Sequence, residues 1–486
     1  MELALGIDLG TSHFKACLVE RSGAQRGLGR VAVRTDTGDG RLCELPADRF
    51  WAYLREAVGQ ALRQAGAASR DVRTLSYASQ ANSFLLLDGR DVPLTPLWLW
   101  PDERVTQVDP AVEALWTRPD FLQTTGLGVG PGPGFAVAKV RWIQRHLPHE
   151  WSRARRVLTI SDYLTYSLTG QPVGDAGTAS LLGILDLQQL AWWPAALEAL
   201  EIDAGRLARP LRPGTLAGAV TEEGANRMGI ATGIPLAVGG LDHYVAALGA
   251  GLGRLADVSA SIGTVTACLR HTDSLRPLPN GSCGPGLGSN YSAGGQVGRQ
   301  ERKRGRDALA TQGQDALATY CQLAFDDNGA EVLAWYQRRH APELTIPQLL
   351  DLARDVPDGE DTPAALPHAD RHKGLEGFRD CRPSHHHGHY IRAILDSTAD
   401  TLGALIGTLC PTGRPARIVA TGGGARSDFW LQTCADRLRT DLLAVECEEP
   451  ACLGAAMIAA VAAGWFGDCR QAAASWVQPR KAFSPR

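Results

Sequence analysis

The chain of 486 residues is too long for one compact core, so its length predicts roughly two to four domains. Hydrophobic residues make up 44% of the chain and charged residues 21%, as in ordinary globular proteins. The formal net charge of -3 provides no general attraction for nucleic acid or for an anionic membrane, so partners must be recognised at particular sites.

The first element is an apolar strand that ends on a carboxylate and a polar turn. Residues 6–18 read "GIDLGTSHFKACL", with Asp8 ending the first strand and Thr11 and Ser12 in the turn. One interpretation is structural, because Asp and Gly favour the tight turns of β-hairpins. The other is chemical: the turn's N–H groups and hydroxyls bind an anion, while Asp8 holds a divalent cation. These residues alone leave both interpretations open.

The next elements predict a mixed α/β arrangement. Residues 2–35 alternate in the manner of two or three antiparallel strands, and residues 48–66 have the periodicity of an amphipathic helix. A short strand, "TLSYAS", follows. The pattern from residue 110 to residue 210 is mostly helical.

A domain boundary is predicted near residue 249. The segment "IPLAVGGLDHYVAALGAGL" predicts a strand that ends at two glycines and a helix that begins near Asp242. We therefore divide the chain into an N-terminal domain of residues 1–249 and a C-terminal domain of residues 250–486.

The second domain begins by repeating the opening pattern. The segment "LADVSASIGTVTACLRH" is again an apolar strand, a turn that contains Gly263 and Thr264, and a second apolar strand. A repeat of this kind predicts a fold of two related lobes, each supplying one hairpin. The residues at about 287–321 form an irregular basic segment, which we interpret as a solvated loop.

The last third of the chain contains a run of three glycines. The segment "ARIVATGGGARSDFWLQTCADRL" predicts a strand that runs into these glycines and then into a helix. Consecutive glycines let a ligand approach the backbone, and the helix N-terminus favours an anion. Farther on, "PACLGAAMIAAVAAGWF" predicts a tightly packed helix of a soluble protein rather than a membrane span.

Taken together, these segments resemble a known family. The series "GIDLGTSHFKA", "WPDER", "SDYLTYSLTG", "GGLDHYVAALGAG", "SIGTVTA", "VATGGGARSDFWLQTCAD" and "EPACLGAAMIAA" resembles, in this order, the FGGY carbohydrate kinases. That family belongs to the superfamily of actin, hexokinase and the heat-shock ATPases. The resemblance implies an α/β fold of two ribonuclease-H-like lobes, with ATP and a sugar bound in the cleft between them.

The resemblance also implies roles for individual residues. Asp242 would be the catalytic base that accepts the proton of the sugar hydroxyl, although in isolation it is also a typical helix N-cap. Asp8 would lie near Mg²⁺ and act partly through water. The phosphate-binding turns and the adenosine motif would be formed by Thr11, Ser12, Gly263, Thr264, Gly422, Gly423, Gly424 and Ser427.

The sugar side is expected around two short segments. Asn82, with an amide that both donates and accepts, and Trp100, with an apolar ring face, are the substrate contacts we favour. Gln80 and Asp102 are further candidates, but a buried pair of Asp102 with Arg104 is equally a structural feature. Lys15 could reach a phosphate, but we expect it to face solvent. The segment "QANSF" stands where xylulose kinases have Met-His-Gly.

The resulting hypothesis is an ATP-dependent kinase that phosphorylates a ketopentose or a related polyol, with D-xylulose as the first candidate. Other sugars, such as ribulose, fuculose and glycerol, remain open because fold similarity does not distinguish them. A weak sugar sensor that has kept the fold and a structural ATPase resembling actin are the alternatives from other classes.

Partners and location follow from the same observations. We expect a sugar and ATP as ligands, no nucleic acid and no membrane, and we leave a homodimer open. Eleven cysteines are scattered without the spacing of a zinc site, and the N-terminus has no signal-peptide pattern. A reduced, cytoplasmic protein is therefore predicted.

Overall fold

The computed structural model describes most of the chain. The described residues are 1–38, 40–286, 320–357, 361–366 and 377–486. The irregular basic segment predicted at about 287–321 lies outside them, apart from its last two residues, which begin a strand at Tyr320.

The first of two large sheets is built around the N-terminal hairpin. Its hydrogen-bonded order is Leu216–Ala219, Pro235–Ala237, Val72–Ser79, Leu3–Leu9, His13–Glu20 and Gln25–Ala32, with Gly240–Leu241 also paired to Val72–Ser79. The three N-terminal strands form an antiparallel meander, and Val72–Ser79 runs parallel to Leu3–Leu9. The strands predicted over residues 2–35 are therefore confirmed.

The second large sheet repeats this arrangement. Its order is Gly281–Pro285, Tyr320–Asp326, Thr266–Thr272, Val258–Ile262, Arg417–Thr421, Asp441–Val445 and Pro479–Phe483. Its two edge strands are Gly281–Pro285 and Pro479–Phe483. The five strands between them repeat the pattern of the first sheet, with three antiparallel strands followed by two strands that run parallel to the third. The predicted repeat of two related lobes is therefore present in the strand order.

Helices cover the faces of both sheets. The longest helix of the first half, Ala47–Ala65, buries Phe50, Leu54 and Val58 as its periodicity predicts. It is followed by Gly66, which adopts a left-handed backbone conformation and ends the helix. No described helix has the length and apolar character needed to cross a bilayer. The remaining described α-helices are Pro110–Trp116, Phe121–Thr125, Ala136–His146, Pro148–Arg153, Ile160–Thr169, Ala176–Ala179, Pro194–Ala199, Glu222–Met228, Asp242–Gly249, Ala330–His340, Ile346–Arg354, His387–Leu409, Asp428–Leu438, Pro450–Ala462 and Cys469–Trp476.

Short strands form the smaller sheets. A four-stranded sheet joins Glu44–Leu45, Leu97–Trp98, Phe84–Leu87 and Arg156–Thr159 in that order, and it supports the segment that contains Trp100. The other short strands pair two by two: Leu185–Asp186 with Ala191–Trp192, Arg209–Leu211 with Val173–Asp175, and Ala364–Ala365 with Phe378–Arg379.

Two helices cross where the halves of the chain meet, and we call them the crossing helices: Asp242–Gly249 and Pro450–Ala462. The second of them comes from the end of the chain but packs on the first sheet, where it shares a buried cluster with Ala4, Val19 and Ala78. Small side chains allow this close packing. An ideal Cβ on Gly454 would lie 2.0 Å from the carbonyl oxygen of Val245 in the other helix.

Substitution of Gly454 by valine is expected to destabilise the protein. The added side chain cannot fit against the Val245 carbonyl without separating the crossing helices, and overpacking of this kind costs about 1–3 kcal/mol or more. The free energy of unfolding, measured in urea, reports the loss. The matched control is Gly407→Val, because Gly407 is exposed in its helix and no heavy atom lies within 4 Å of a Cβ there. An equal loss in both variants would contradict the prediction.

Candidate active site

The N-terminal hairpin places the buried carboxylate of Asp8 next to the partly buried ammonium group of Lys15. The Lys15 Nζ lies 3.1 Å from Asp8 Oδ2 and 2.6 Å from Glu449 Oε2, at the start of the second crossing helix. The expectation that Lys15 faces solvent is therefore wrong, because two carboxylates draw its side chain inward. Burial lowers the pKa of Lys15, but Asp8 and Glu449 outweigh this effect and raise it overall.

Asp8 lies within electrostatic range of Asp242. Burial raises the pKa of Asp8 to about 6; Lys15 opposes this shift, and the carboxylate of Asp242 adds to it. Asp242 is half-buried at the first residue of its helix, and its Oδ1 accepts a hydrogen bond from the His243 N–H at 2.7 Å. The N-cap position itself is occupied by Leu241, so Asp242 does not have the capping role considered from the sequence.

The second hairpin turn lies against the glycine run. Gly263 and Thr264 connect the antiparallel strands Val258–Ile262 and Thr266–Thr272. Gly422 has a φ of 85°, and an ideal Cβ there would lie 2.7 Å from the carbonyl oxygen of Ile262. Only glycine fits this left-handed position and this close approach.

A cavity of about 510 Å³ adjoins the last two glycines of the run, Gly423 and Gly424. Gly423, Gly424, Ser427 and Trp430 line one side, and two helices of the second half, Ala330–His340 and Ile346–Arg354, form the other. The Ser427 hydroxyl accepts a hydrogen bond from the Trp430 N–H at 3.2 Å and caps the following helix. Ser427 therefore helps to form this side of the cavity, because its hydroxyl holds the backbone at the start of the following helix.

Two predicted sugar contacts are held by intramolecular bonds. Gln80 is buried; its Nε2 donates to the Leu9 carbonyl at 3.2 Å and its Oε1 accepts from Ser83. Asp102 is also buried, where its carboxylate accepts hydrogen bonds from Arg104 at 2.8 Å and from the Cys43 N–H at 2.7 Å. These bonds agree with a structural role for the Asp102 and Arg104 pair.

Asn82 and Trp100 lie closer to open space. Asn82 adopts a left-handed conformation with a φ of 56°, and its Oδ1 accepts from the Ala136 N–H at 3.0 Å. The Trp100 ring is half-exposed, and its Nε1 donates to Thr11 Oγ1 at 2.7 Å. Trp100 also lines a cavity of about 500 Å³ together with Arg41, Asp102, Glu103, Thr106 and Pro133.

The sequence interpretation missed Lys139. This residue is fully buried, and its Nζ donates to the carbonyl oxygens of Leu99 at 2.7 Å and Trp100 at 3.1 Å. Burial lowers the pKa of Lys139 to about 8. The only sequence signal for this role is a lysine among the apolar residues of "AVAKVRW".

The first half of the chain also contains two buried carboxylates, Asp162 and Asp175. Asp175 accepts hydrogen bonds from the hydroxyls of Ser161 and Thr178 at 3.0 and 2.9 Å. Asp162 accepts from the Thr159 N–H at 3.2 Å and closes a capping box at the start of its helix. Burial raises the pKa of Asp162 to about 7, and the charge of Asp175 adds to the shift.

Replacement of Asp162 by asparagine is expected to flatten the pH dependence of stability. Because the folded state binds this proton more tightly than the unfolded chain, its contribution is present below about pH 4 and is lost as the pH rises through about 7. The loss of unfolding free energy between pH 5 and 8 should be smaller in the variant, as urea unfolding would show. Asp203→Asn, which changes an exposed turn residue, is the control, and equal slopes in both variants would contradict the prediction.

Comparison with known proteins identifies the class to which this fold and site belong. Residues 3–249 match the N-terminal domain of the FGGY family of carbohydrate kinases, and residues 354–463 match its C-terminal domain. The protein is therefore a sugar phosphotransferase. It belongs to the FGGY family of carbohydrate kinases, as its motifs predict.

The sequence similarity to individual relatives extends over almost the whole chain. It is similar to the xylulose kinase of Bacillus subtilis (strain 168), with 25% identity covering 100% of this chain and 93% of the relative. It is also 26% identical to the gluconokinase of Bacillus licheniformis, over 95% of this chain and 87% of the relative. The ligand-bound xylulose kinase from Lactobacillus acidophilus has the same fold, with a TM-score of 0.81, 20% identity and coverage of 100% and 94%. The predicted two-domain, actin-like α/β fold is confirmed.

Proposed function

We propose that this kinase transfers the γ-phosphate of ATP to a hydroxyl of a ketopentose, with D-xylulose as the first candidate. The observation that carries the proposal is the position of Asp242, which begins a crossing helix within electrostatic range of Asp8. Under this proposal, Asp242 serves as the base for the sugar hydroxyl and Asp8 as the carboxylate for the metal, next to the turn proposed to bind phosphate. The similarity to xylulose kinases supports the choice of sugar.

Asp242 is suited to be the base. Its carboxylate is half-buried and has one oxygen, Oδ1, hydrogen-bonded to the His243 N–H. This bond fixes the carboxylate and leaves Oδ2 to accept the proton of a sugar hydroxyl. Phosphoryl transfer depends mainly on positioning and charge stabilisation, so a fixed base beside the phosphate turn meets its main requirement.

The second half of the chain fits a nucleotide. Gly422 brings the glycine run against the second hairpin turn, and the cavity of about 510 Å³ next to Gly423 and Gly424 has room for a base and its ribose. We propose that Gly263 and Thr264 contact the phosphates through the turn, and that the three glycines and Ser427 form the adenosine side.

The first hairpin fits a magnesium ion bound chiefly by phosphates and water. The described residues contain no cluster of three or more His, Cys, Asp or Glu side chains arranged to hold a metal. Mg²⁺ in kinases takes one or two carboxylates, with phosphates and water as the other ligands, so the single carboxylate of Asp8, acting partly through water, is sufficient on the protein side. Bound there, the ion would neutralise charge on the phosphates. Thr11 and Ser12 would donate hydrogen bonds to the same phosphates.

Gluconate is a second candidate substrate. The similarity to a gluconokinase equals the similarity to the xylulose kinase within one percentage point of identity. The similarity therefore does not by itself select a neutral sugar.

A substrate panel tests the proposal. ADP release would be measured with ATP and Mg²⁺ for D-xylulose, ribulose, fuculose, glycerol and gluconate, and the phosphorylated product would be identified. We expect turnover with D-xylulose at least tenfold above the others, since a missing hydrogen-bond partner strongly rejects an analogue. Higher turnover with gluconate would select the second candidate, and no stimulation by any sugar would favour a sensor or a structural ATPase.

Two further features belong to the proposal. We place the boundary between the domains at Gly249, where the first crossing helix ends. We also propose a reducing, cytoplasmic location, because all eleven cysteines lie in the described part of the chain and all are free thiols. A homodimer remains compatible with this function.

A further inference from the structure

The indole of Trp100 connects two parts of the site that serve different substrates. Its Nε1 donates a hydrogen bond to Thr11 Oγ1, 2.7 Å away in the first phosphate turn. Trp100 is 50% exposed and lines the cavity of about 500 Å³ together with Asp102, another predicted sugar contact. One side chain therefore lines this cavity and is hydrogen-bonded to the turn proposed to bind phosphate.

The direction of this hydrogen bond determines what the Thr11 hydroxyl can do. An indole N–H is a donor only, so Thr11 Oγ1 must be the acceptor. The hydroxyl then keeps its own hydrogen to donate to another group. Phosphate oxygens are acceptors, so the bond from Trp100 prepares Thr11 to donate a hydrogen bond to a phosphate.

The backbone of Trp100 is fixed independently of its ring. The Trp100 N–H donates to Ser83 Oγ at 2.9 Å, and the Trp100 carbonyl accepts from the buried Lys139 Nζ at 3.1 Å. The Lys139 Nζ also donates to Leu99, so three bonds hold this loop. The ring projects from a rigid support, and its half-exposed face is the part that a bound sugar would cover.

We propose that Trp100 is a positioning residue that couples the binding of the sugar to the binding of the phosphates. A sugar packed on the ring holds the indole against Thr11, and the oriented hydroxyl then strengthens phosphate binding. This inference rests on the proposed function. By thermodynamic linkage, the nucleotide must increase the affinity for the sugar by the same factor.

Calorimetry with a non-hydrolysable ATP analogue and Mg²⁺ tests the coupling. Analogue affinity is measured with and without saturating D-xylulose, or with whichever sugar of the panel gives turnover. In the wild-type protein we expect the sugar to increase the affinity by about fivefold or more. In Trp100→Phe, which keeps an apolar ring but lacks the N–H, this factor should fall to about one.

A matched control and a reciprocal variant make the result decisive. Trp192→Phe removes an indole bond to the Ala208 carbonyl, outside the site, and should retain the wild-type factor. Thr11→Val removes the acceptor and leaves Trp100 in place, so saturating analogue should no longer increase sugar affinity. If Trp100→Phe binds no sugar, the Thr11→Val measurement decides.

Either variant retaining the wild-type factor, or a wild-type factor of one, would overturn the inference. The failure of the proposed function has a different signature. In that case no sugar of the panel supports turnover by the wild-type protein, whereas the coupling is measured by binding alone.

Discussion

Asp242→Asn is expected to reduce kcat for sugar phosphorylation by about 10²–10⁴-fold, the usual contribution of a general base. Asparagine has nearly the same shape, and its Oδ1 can still accept the His243 N–H, so the local structure should survive. It cannot take a proton from a sugar hydroxyl. Coupled measurement of ADP release, together with direct binding of the nucleotide and the sugar, would show lost turnover with retained binding.

Glu222→Gln is the matched control for this variant. Glu222 also lies in the first turn of a helix, but it lines a separate cavity together with Tyr163 and Tyr166. Its replacement by the neutral isostere should leave kcat within about twofold, as is usual for surface changes. A kcat for Asp242→Asn near that of the control would rule out Asp242 as the base.

Asp8→Asn is expected to raise the Mg²⁺ concentration needed for half-maximal activity by about 10–100-fold, the usual effect of losing a group that orients a metal through its water shell. The substitution removes a negative charge 3.1 Å from the Lys15 ammonium group, so the surroundings of the proposed metal become more positive. Both effects weaken cation binding. Titration of activity with Mg²⁺ at saturating ATP and sugar would measure the shift.

Glu449→Gln separates the two effects. Glu449 lies 2.6 Å from the same Lys15 Nζ, so its neutralisation disturbs the ammonium group without removing the carboxylate of Asp8. We expect a smaller change in the Mg²⁺ requirement than in Asp8→Asn. An equal change in the two variants would mean that Asp8 acts through Lys15 and does not serve the metal.

The sequence predicted those parts of the fold that depend on neighbouring residues. The hairpin at Asp8 and the second hairpin at Gly263 have strands whose partners lie a few residues apart, so alternation and turn residues were sufficient. The helix Ala47–Ala65 has a continuous apolar face and a terminal glycine. The order of the motifs then predicted the family and the two-domain fold, which the comparisons confirm.

Contacts between distant segments could not be predicted in this way. The bond from Trp100 to Thr11 joins residues 89 positions apart, and Lys15 meets Glu449 across almost the entire chain. Local patterns indicate a half-exposed lysine in a hairpin, and they contain no information about a carboxylate on a remote helix. Lys139 was missed for the same reason, because the carbonyl groups that bind it belong to another segment. The roles of the individual site residues remain predictions.

The packing of the last crossing helix also determines when the first domain can be completed during synthesis. The face of the first sheet that contains Ala4 and Val19 is covered by Pro450–Ala462, a part of the chain that is made long after this sheet. A chain that has been made only as far as Gly249 leaves this apolar face uncovered. Exposed faces of this kind promote aggregation and engage chaperones. A truncated form that ends at Gly249 is therefore expected to be insoluble when it is expressed alone.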